Sequence, residues 1–154
     1  MEQVKESKEL LKKAKRAVWL NRYFKRPIPK EYEALILAKK CCNERFMHRY
    51  VLENKLLESN EETFLKTYLK GQNKDDLQFV KTYVFIHGAS KQGQILVVQS
   101  KNVDVITALI NSYDSIASPD VCPETLTELV ELKDPCLLEA LSSAIAGCRK
   151  FEQI

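Results

Sequence analysis

Apolar residues recur along this chain at the three- and four-residue spacing of amphipathic helices. Val4, Leu11, Ala14, Val18 and Trp19 fall on one stripe, which predicts a first helix from about Glu2 to Lys25. Pro27-Ile28-Pro29 stops it, because proline disfavours helix at the residue before it. A second helix is predicted from about Lys30 to Leu57, through Leu35, Leu37, Ala38, Cys41, Cys42, Phe46, Met47, Tyr50, Val51 and Leu57. Glu31 and Glu33 in its first turn suit the helix dipole.

Ser59-Asn60-Glu61-Glu62 reads as a cap with acidic first-turn residues, and opens a helix that packs Phe64, Leu65, Tyr68 and Leu69 and ends at Gly71. Asn73 or Asp75 opens the next, with Leu77, Phe79, Val80, Tyr83, Val84 and Ile86. Residues 94–99, QILVVQ, fit a short buried strand and a buried helix equally well. Helical spacing returns from Asn102 to Ile116 and breaks at Ser118-Pro119-Asp120; Pro123-Glu124 starts a short helix to about Leu132. Asp134-Pro135 caps the last, which carries Leu137, Leu138, Leu141, Ile145 and Cys148. The expectation is an all-α fold of about seven helices: a basic N-terminal helical hairpin packed on a C-terminal helical region. The 154 residues suit one domain, with a sub-boundary near 58–60.

Composition narrows the class. Four Gly and five Pro favour long helices over a turn-rich β fold, and no apolar run reaches the ~18–20 residues of a membrane span. The N-terminus lacks the apolar stretch of a secretory signal, and five Cys without framework spacing read as reduced thiols, so an intracellular, cytoplasmic protein is expected. Charge adds the sharper clue. The net +3 conceals fourteen Lys/Arg against six Asp/Glu in residues 1–50, and ten against fifteen in residues 51–154.

Residues 84–98 read VFIHGASKQGQILVV, in which His87, Ala89, Gly93, Val97 and Val98 stand at offsets that resemble the core of an ankyrin repeat. Lys101–Ile110 looks like the second-helix half of such a repeat, and Leu137–Gly147 resembles a first helix. Val84-Phe85 replaces the Thr-Pro that opens the family's repeat, and no full second copy is visible at its period of about 33 residues. The resemblance implies stacked helix pairs whose surface binds another protein, as in degenerate repeats of host-directed bacterial or viral proteins.

The candidate contact surface is the first helix. Lys12, Lys13, Lys15, Arg16 and Arg22 are interleaved with Trp19 and Phe24, and Leu11, Val18 and Phe24 have the spacing of bulky anchors. Such a helix suits a protein partner with an acidic surface, including a calmodulin-like groove; nucleic acid, through the basic residues of 8–49, and anionic lipid are the alternatives. A small enzyme whose groups converge only in space is a third reading. Cys41 and His48 would lie about 10 Å apart along one helix, too far to share an ion, and no catalytic, metal or cofactor motif is present. Glu124, Glu128 and Glu131 form an acidic stripe, a solvated face or a dock for a basic helix.

Overall fold

In the computed structural model, Lys39 adopts a φ of 57° and splits the helix predicted from Lys30 to Leu57. A 3₁₀ turn at Lys30–Tyr32 leads into a short helix, Glu33–Leu37, which ends as the Lys39 N–H donates to the Ile36 carbonyl and the Lys40 N–H to the Leu35 carbonyl, both at 3.0 Å. That is the paired-bond geometry usually built on glycine, here carried by a lysine whose charge suits a helix C-terminus. Asn43 then opens the next helix by accepting from the Phe46 N–H at 2.9 Å. The second departure is at Gly88, whose φ of 68° ends one helix, while Ser90 caps another that runs through residues 94–99. Those residues are helix and not strand. These two breaks raise the count to nine α-helices among the described residues, which are 2–70, 73–113 and 121–147, with side chains from Lys8 onward. The expected end at Gly71, the break at 118–120 and Cys148 lie outside them.

In chain order the helices are α1 (Glu2–Phe24), α2 (Glu33–Leu37), α3 (Glu44–Glu53), α4 (Glu58–Lys70), α5 (Lys74–His87), α6 (Lys91–Gln99), α7 (Val103–Ser112), α8 (Pro123–Glu131) and α9 (Pro135–Gly147). They fall into two compact units, residues 1–60 and 61–154. The first unit buries Ala14 and Val18 of α1 with Ile28, Tyr32, Ile36, Cys41, Phe46, Met47, Tyr50, Val51 and Leu56. In the second, α7 packs on α5 and α9, while α6 packs on α8. Helix α7, packed on both sides, buries Val105, Ile106, Ala108, Leu109 and Ile110. Phe64 of α4 meets Phe79 and Tyr83 of α5 edge-on at 5.4 and 5.3 Å between ring centres.

One polar arrangement recurs through both units. Glu33 is fully buried; its Oε2 accepts from Tyr50 Oη at 2.7 Å and Lys30 Nζ at 3.1 Å, and its Oε1 from the Leu57 N–H at 2.7 Å and Asn60 Nδ2 at 3.0 Å. Glu61, also buried, accepts from Tyr83 Oη at 2.7 Å and the Ser90 N–H at 2.8 Å. Gln94 repeats the pattern with a neutral side chain. Its Oε1 accepts from Tyr113 Oη at 2.9 Å and the Cys122 N–H at 3.0 Å, and its Nε2 donates to the Ala89 carbonyl at 3.0 Å. In each case an early helix supplies the acceptor, and the following helix, or for Gln94 the residue just past its end, a tyrosine. The backbone N–H comes from the residue just before the helix after that. Glu61 and Gln94 in turn lie four residues beyond Leu57 and Ser90. Thr125 takes the corresponding place three residues beyond Cys122; it is buried, and its Oγ1 has no hydrogen-bond partner among the described residues.

The caps repeat in step. Asn43, Asn73, Asn102 and Asp134 each accept from backbone N–H groups at the start of α3, α5, α7 and α9. Lys39, Lys101 and Lys133, all with positive φ, follow α2, α6 and α8. The chain after α1 is therefore a series of helix pairs, α2–α3, α4–α5, α6–α7 and α8–α9, built on one hydrogen-bonding plan. Gly93 is part of that plan. A Cβ there would stand 2.6 Å from Glu61 Oε1, an oxygen already fixed by the Ser90 N–H.

Glu33→Leu should therefore destabilise the protein by at least about 3 kcal/mol, because it strands several donors at once, each costing about 1–3 kcal/mol. Thr125→Val, which removes a hydroxyl that satisfies nothing, should change stability by under about 1 kcal/mol. Denaturant titration of the two variants reads the contrast. Burial alone would raise the Glu33 pKa, but the hydrogen bonds from Asn60, Tyr50, Leu57 and Lys30 outweigh it and hold the carboxyl below its ordinary value. A lowered folded-state pKa gives stability that is present above the unfolded value of about 4.3. It is lost as pH falls from there through Glu33's own lower pKa, and Glu33→Gln should flatten that acid limb.

Candidate functional site

At 100° per residue, Lys12, Arg16, Trp19 and Tyr23 follow i, i+4, i+7, i+11 and line the face of α1 opposite Ala14 and Val18. Trp19 is thus not on the buried stripe where its spacing from Val18 placed it; it is 52% exposed. Tyr23 and Phe24 are each 62% exposed and stand 5.3 and 5.6 Å from the Trp19 ring. The expected contact residues Lys12, Lys13, Lys15, Arg16, Trp19, Arg22 and Phe24 all face solvent. The anchor trio does not hold together: Val18 is buried, Leu11 half-buried, and only Phe24 is free to enter a partner's groove. Trp19, Tyr23 and Phe24 replace it as the exposed aromatic set.

Asn21 organises the end of this helix. Its carbonyl accepts from the Lys25 N–H at 3.0 Å, its Nδ2 donates to the Arg26 carbonyl at 2.8 Å, and its Oδ1 accepts from Arg49 at 3.2 Å. The chain is thereby turned at Lys25, φ 54°, and Arg49 of α3 is tied to α1. Two clefts flank the helix. One, about 290 Å³, has an apolar floor of Ala17, Leu20, Pro27, Pro29 and Tyr32 under a rim of Lys13, Arg16 and Arg26. The other, about 520 Å³, is lined by Arg22, Asn43, Arg45, Phe46 and Arg49. Among the described residues, none of the cations lining these two clefts, nor Lys12 or Lys15, forms an ion pair. Sequence reasoning named the helix, and counted Arg45 and Arg49 only among the basic residues of 8–49; it missed Asn21 and the clefts, which depend on α3 lying beside α1.

The cysteines and histidines do not converge. Cys42 Sγ donates to the Ile36 carbonyl at 3.7 Å, and burial, with Cys41 beside it, pushes its thiol up to about 12. Burial also raises Cys41. His48 sits 3.7 Å from Glu44 on its own helix, and His87 lies 5.0 Å from the Tyr83 ring. Among the described residues, no three His, Cys, Asp or Glu side chains are placed to hold a metal ion. On the acidic stripe, Glu124 accepts from Cys122 Sγ at 2.8 Å and pairs with Lys91 at 3.4 Å; the thiol bond is the larger of the causes that lower its pKa. No described helix is long and apolar enough to cross a membrane. Comparison with protein-family models, curated proteins and solved structures gives no match.

Two measurements check this picture. Trp19 is the single tryptophan, so the native protein should show red-shifted emission that iodide quenches readily, and Trp19→Ala should cost no more than about 1 kcal/mol. Blue-shifted, protected emission would place Trp19 in a core. A thiol reagent should label exposed Cys136 well before Cys41, Cys42 and Cys122. Fast labelling of Cys41 would contradict its burial.

Proposed function

We propose that this chain is a protein-interaction module built of helix pairs, which binds an acidic protein partner through the exposed face of α1. The observation that carries the reading is the stripe of Lys12, Arg16, Trp19 and Tyr23, where exposed aromatic rings stand among cations that have no ion-pair partner among the described residues. Aromatic anchors beside unpaired charge combine apolar burial with electrostatic steering, the pairing that protein interfaces use for affinity and on-rate. The recurrent helix pairs support a scaffold role, since repeats of this size bury their apolar faces on one another and leave continuous outer surfaces for binding. Of the ankyrin-type resemblance, the part that supports this reading is the stacking of helix pairs. His87, Ala89, Gly93, Val97 and Val98 are spread over the end of α5, the Gly88 turn and α6. An intracellular setting belongs to the same proposal, resting on thiols that stay unpaired among the described residues.

Binding to nucleic acid is the second reading, favoured by Arg22, Arg45 and Arg49 around one cleft. Affinity capture with the full chain, its Lys12→Glu/Lys13→Glu/Arg16→Glu variant and Trp19→Ala, read by quantitative mass spectrometry, separates the two. We expect acidic proteins that are retained by the wild type, lost from both variants, and released by moderate salt. Both variants should keep the wild-type circular dichroism, because exposed charges contribute under about 1 kcal/mol per pair. A captured set unchanged by either variant, or one removed by nuclease, would overturn the proposal.

A further inference from the structure

We infer that the cleft lined by Arg22, Arg45 and Arg49 is a binding site for a phosphate monoester carried on a protein segment. Three arginines from two helices line one cleft of about 520 Å³, and among the described residues no carboxylate lines it. Like charges brought together without a counter-ion repel one another, and here Arg49 is held in place by other bonds. Arg49 lies 5.0 Å above the Phe46 ring and donates to Asn21 Oδ1, which leaves most of its five donors directed elsewhere. Phe46 is itself fixed, buried to 8% exposure, with its N–H bonded to the Asn43 side chain. The cleft therefore presents one pre-positioned fork, that of Arg49, over an aromatic floor with Arg22 and Arg45 also lining it, a set of donors suited to a tetrahedral oxyanion.

The charge and the surroundings select among phosphates. A monoester carries nearly two negative charges at neutral pH and three acceptor oxygens, matching three guanidiniums, whereas the diester of a polynucleotide carries one. The apolar cleft on the other flank of α1, with its basic rim, would take an aliphatic or aromatic side chain beside acidic residues. An acidic peptide supplies all of these; a lipid headgroup or an RNA backbone supplies only the phosphate. The assignment rests on α1 being the partner-binding face, and it adds that the partner's phosphorylation strengthens binding.

The test uses the full chain. Phenyl phosphate should shift the Nε–H resonances of Arg22, Arg45 and Arg49 saturably in nitrogen–proton NMR spectra, and phenyl sulfate, a monoanion, should do so several-fold more weakly. Arg45→Gln/Arg49→Gln should weaken phenyl phosphate by about tenfold or more, the loss expected of charge-assisted hydrogen bonds. Arg22→Gln, on the exposed face of α1, gives a second variant free of any packing change around Phe46. Absent saturation, or equal shifts at every exposed arginine, would overturn the site. An Asp/Glu-flanked phosphotyrosine peptide should bind about tenfold tighter than its unphosphorylated twin, and the double variant should remove only that difference. Equal affinity of the twins would overturn the inference while leaving the α1 reading to its own charge-reversal test. Displacement of phenyl phosphate by phosphoinositide vesicles or single-stranded RNA more effectively than by the phosphopeptide would overturn the assignment to a protein ligand.

Discussion

The structure depends on a buried side-chain oxygen that satisfies a backbone N–H at the head of a later helix. Helix starts leave N–H groups without partners, and a buried start must find acceptors elsewhere. This chain answers with Glu33, Glu61 and Gln94, each also bonded to a tyrosine in or at the end of the intervening helix. Burying a carboxylate costs several kcal/mol unless its lone pairs are filled, so the two glutamates are tolerable only because two or more donors reach each of them. Gln94 avoids the charge and must instead dispose of its amide, which it does on the Ala89 carbonyl. The same geometry is thus reached by two chemistries.

Much of the helical content was legible, because amphipathic spacing and caps are local signals. Asn102 and Asp134 start helices as expected, and Pro123 stands at the start of α8. The break at Lys39 was not legible for a specific reason. Four helices, α1, α2, α6 and α8, are followed by a lysine in the left-handed region where glycine is the usual signal. A low glycine count therefore reads as long helices when the chain is in fact ending them with Lys25, Lys39, Lys101 and Lys133. The repeat was hidden in the same way. Its common positions are Glu, Glu, Gln and Thr at one place and Asn, Asn, Asn and Asp at another, a similarity of hydrogen-bonding role more than of residue identity. The caps at 43, 73, 102 and 134, nearly evenly spaced, were the one signal in plain view.

The surface of α1 was half legible for similar reasons. Lys12, Lys13, Lys15, Arg16 and Arg22 announce a basic helix by composition alone. Which aromatic residues face outward depends on a single 100° step, and it separates buried Val18 from exposed Trp19. The arginines of α3 join the surface only through the tie between Arg49 and Asn21, a contact spanning 28 residues that no local pattern encodes.

The hydrogen-bond plan also sets where this chain can be divided. A helix pair is not complete at its own last turn, because its buried acceptor takes one of its hydrogen bonds from the residue that opens the next pair. Ending a fragment at the Gly88 turn would keep both helices α4 and α5 yet leave the Glu61 carboxylate without the Ser90 N–H. Ending one at Tyr113 would likewise deprive Gln94 of Cys122. The natural module is a hairpin plus the first turn that follows it, so successive modules overlap and share residues. Excising one pair removes the cap of another.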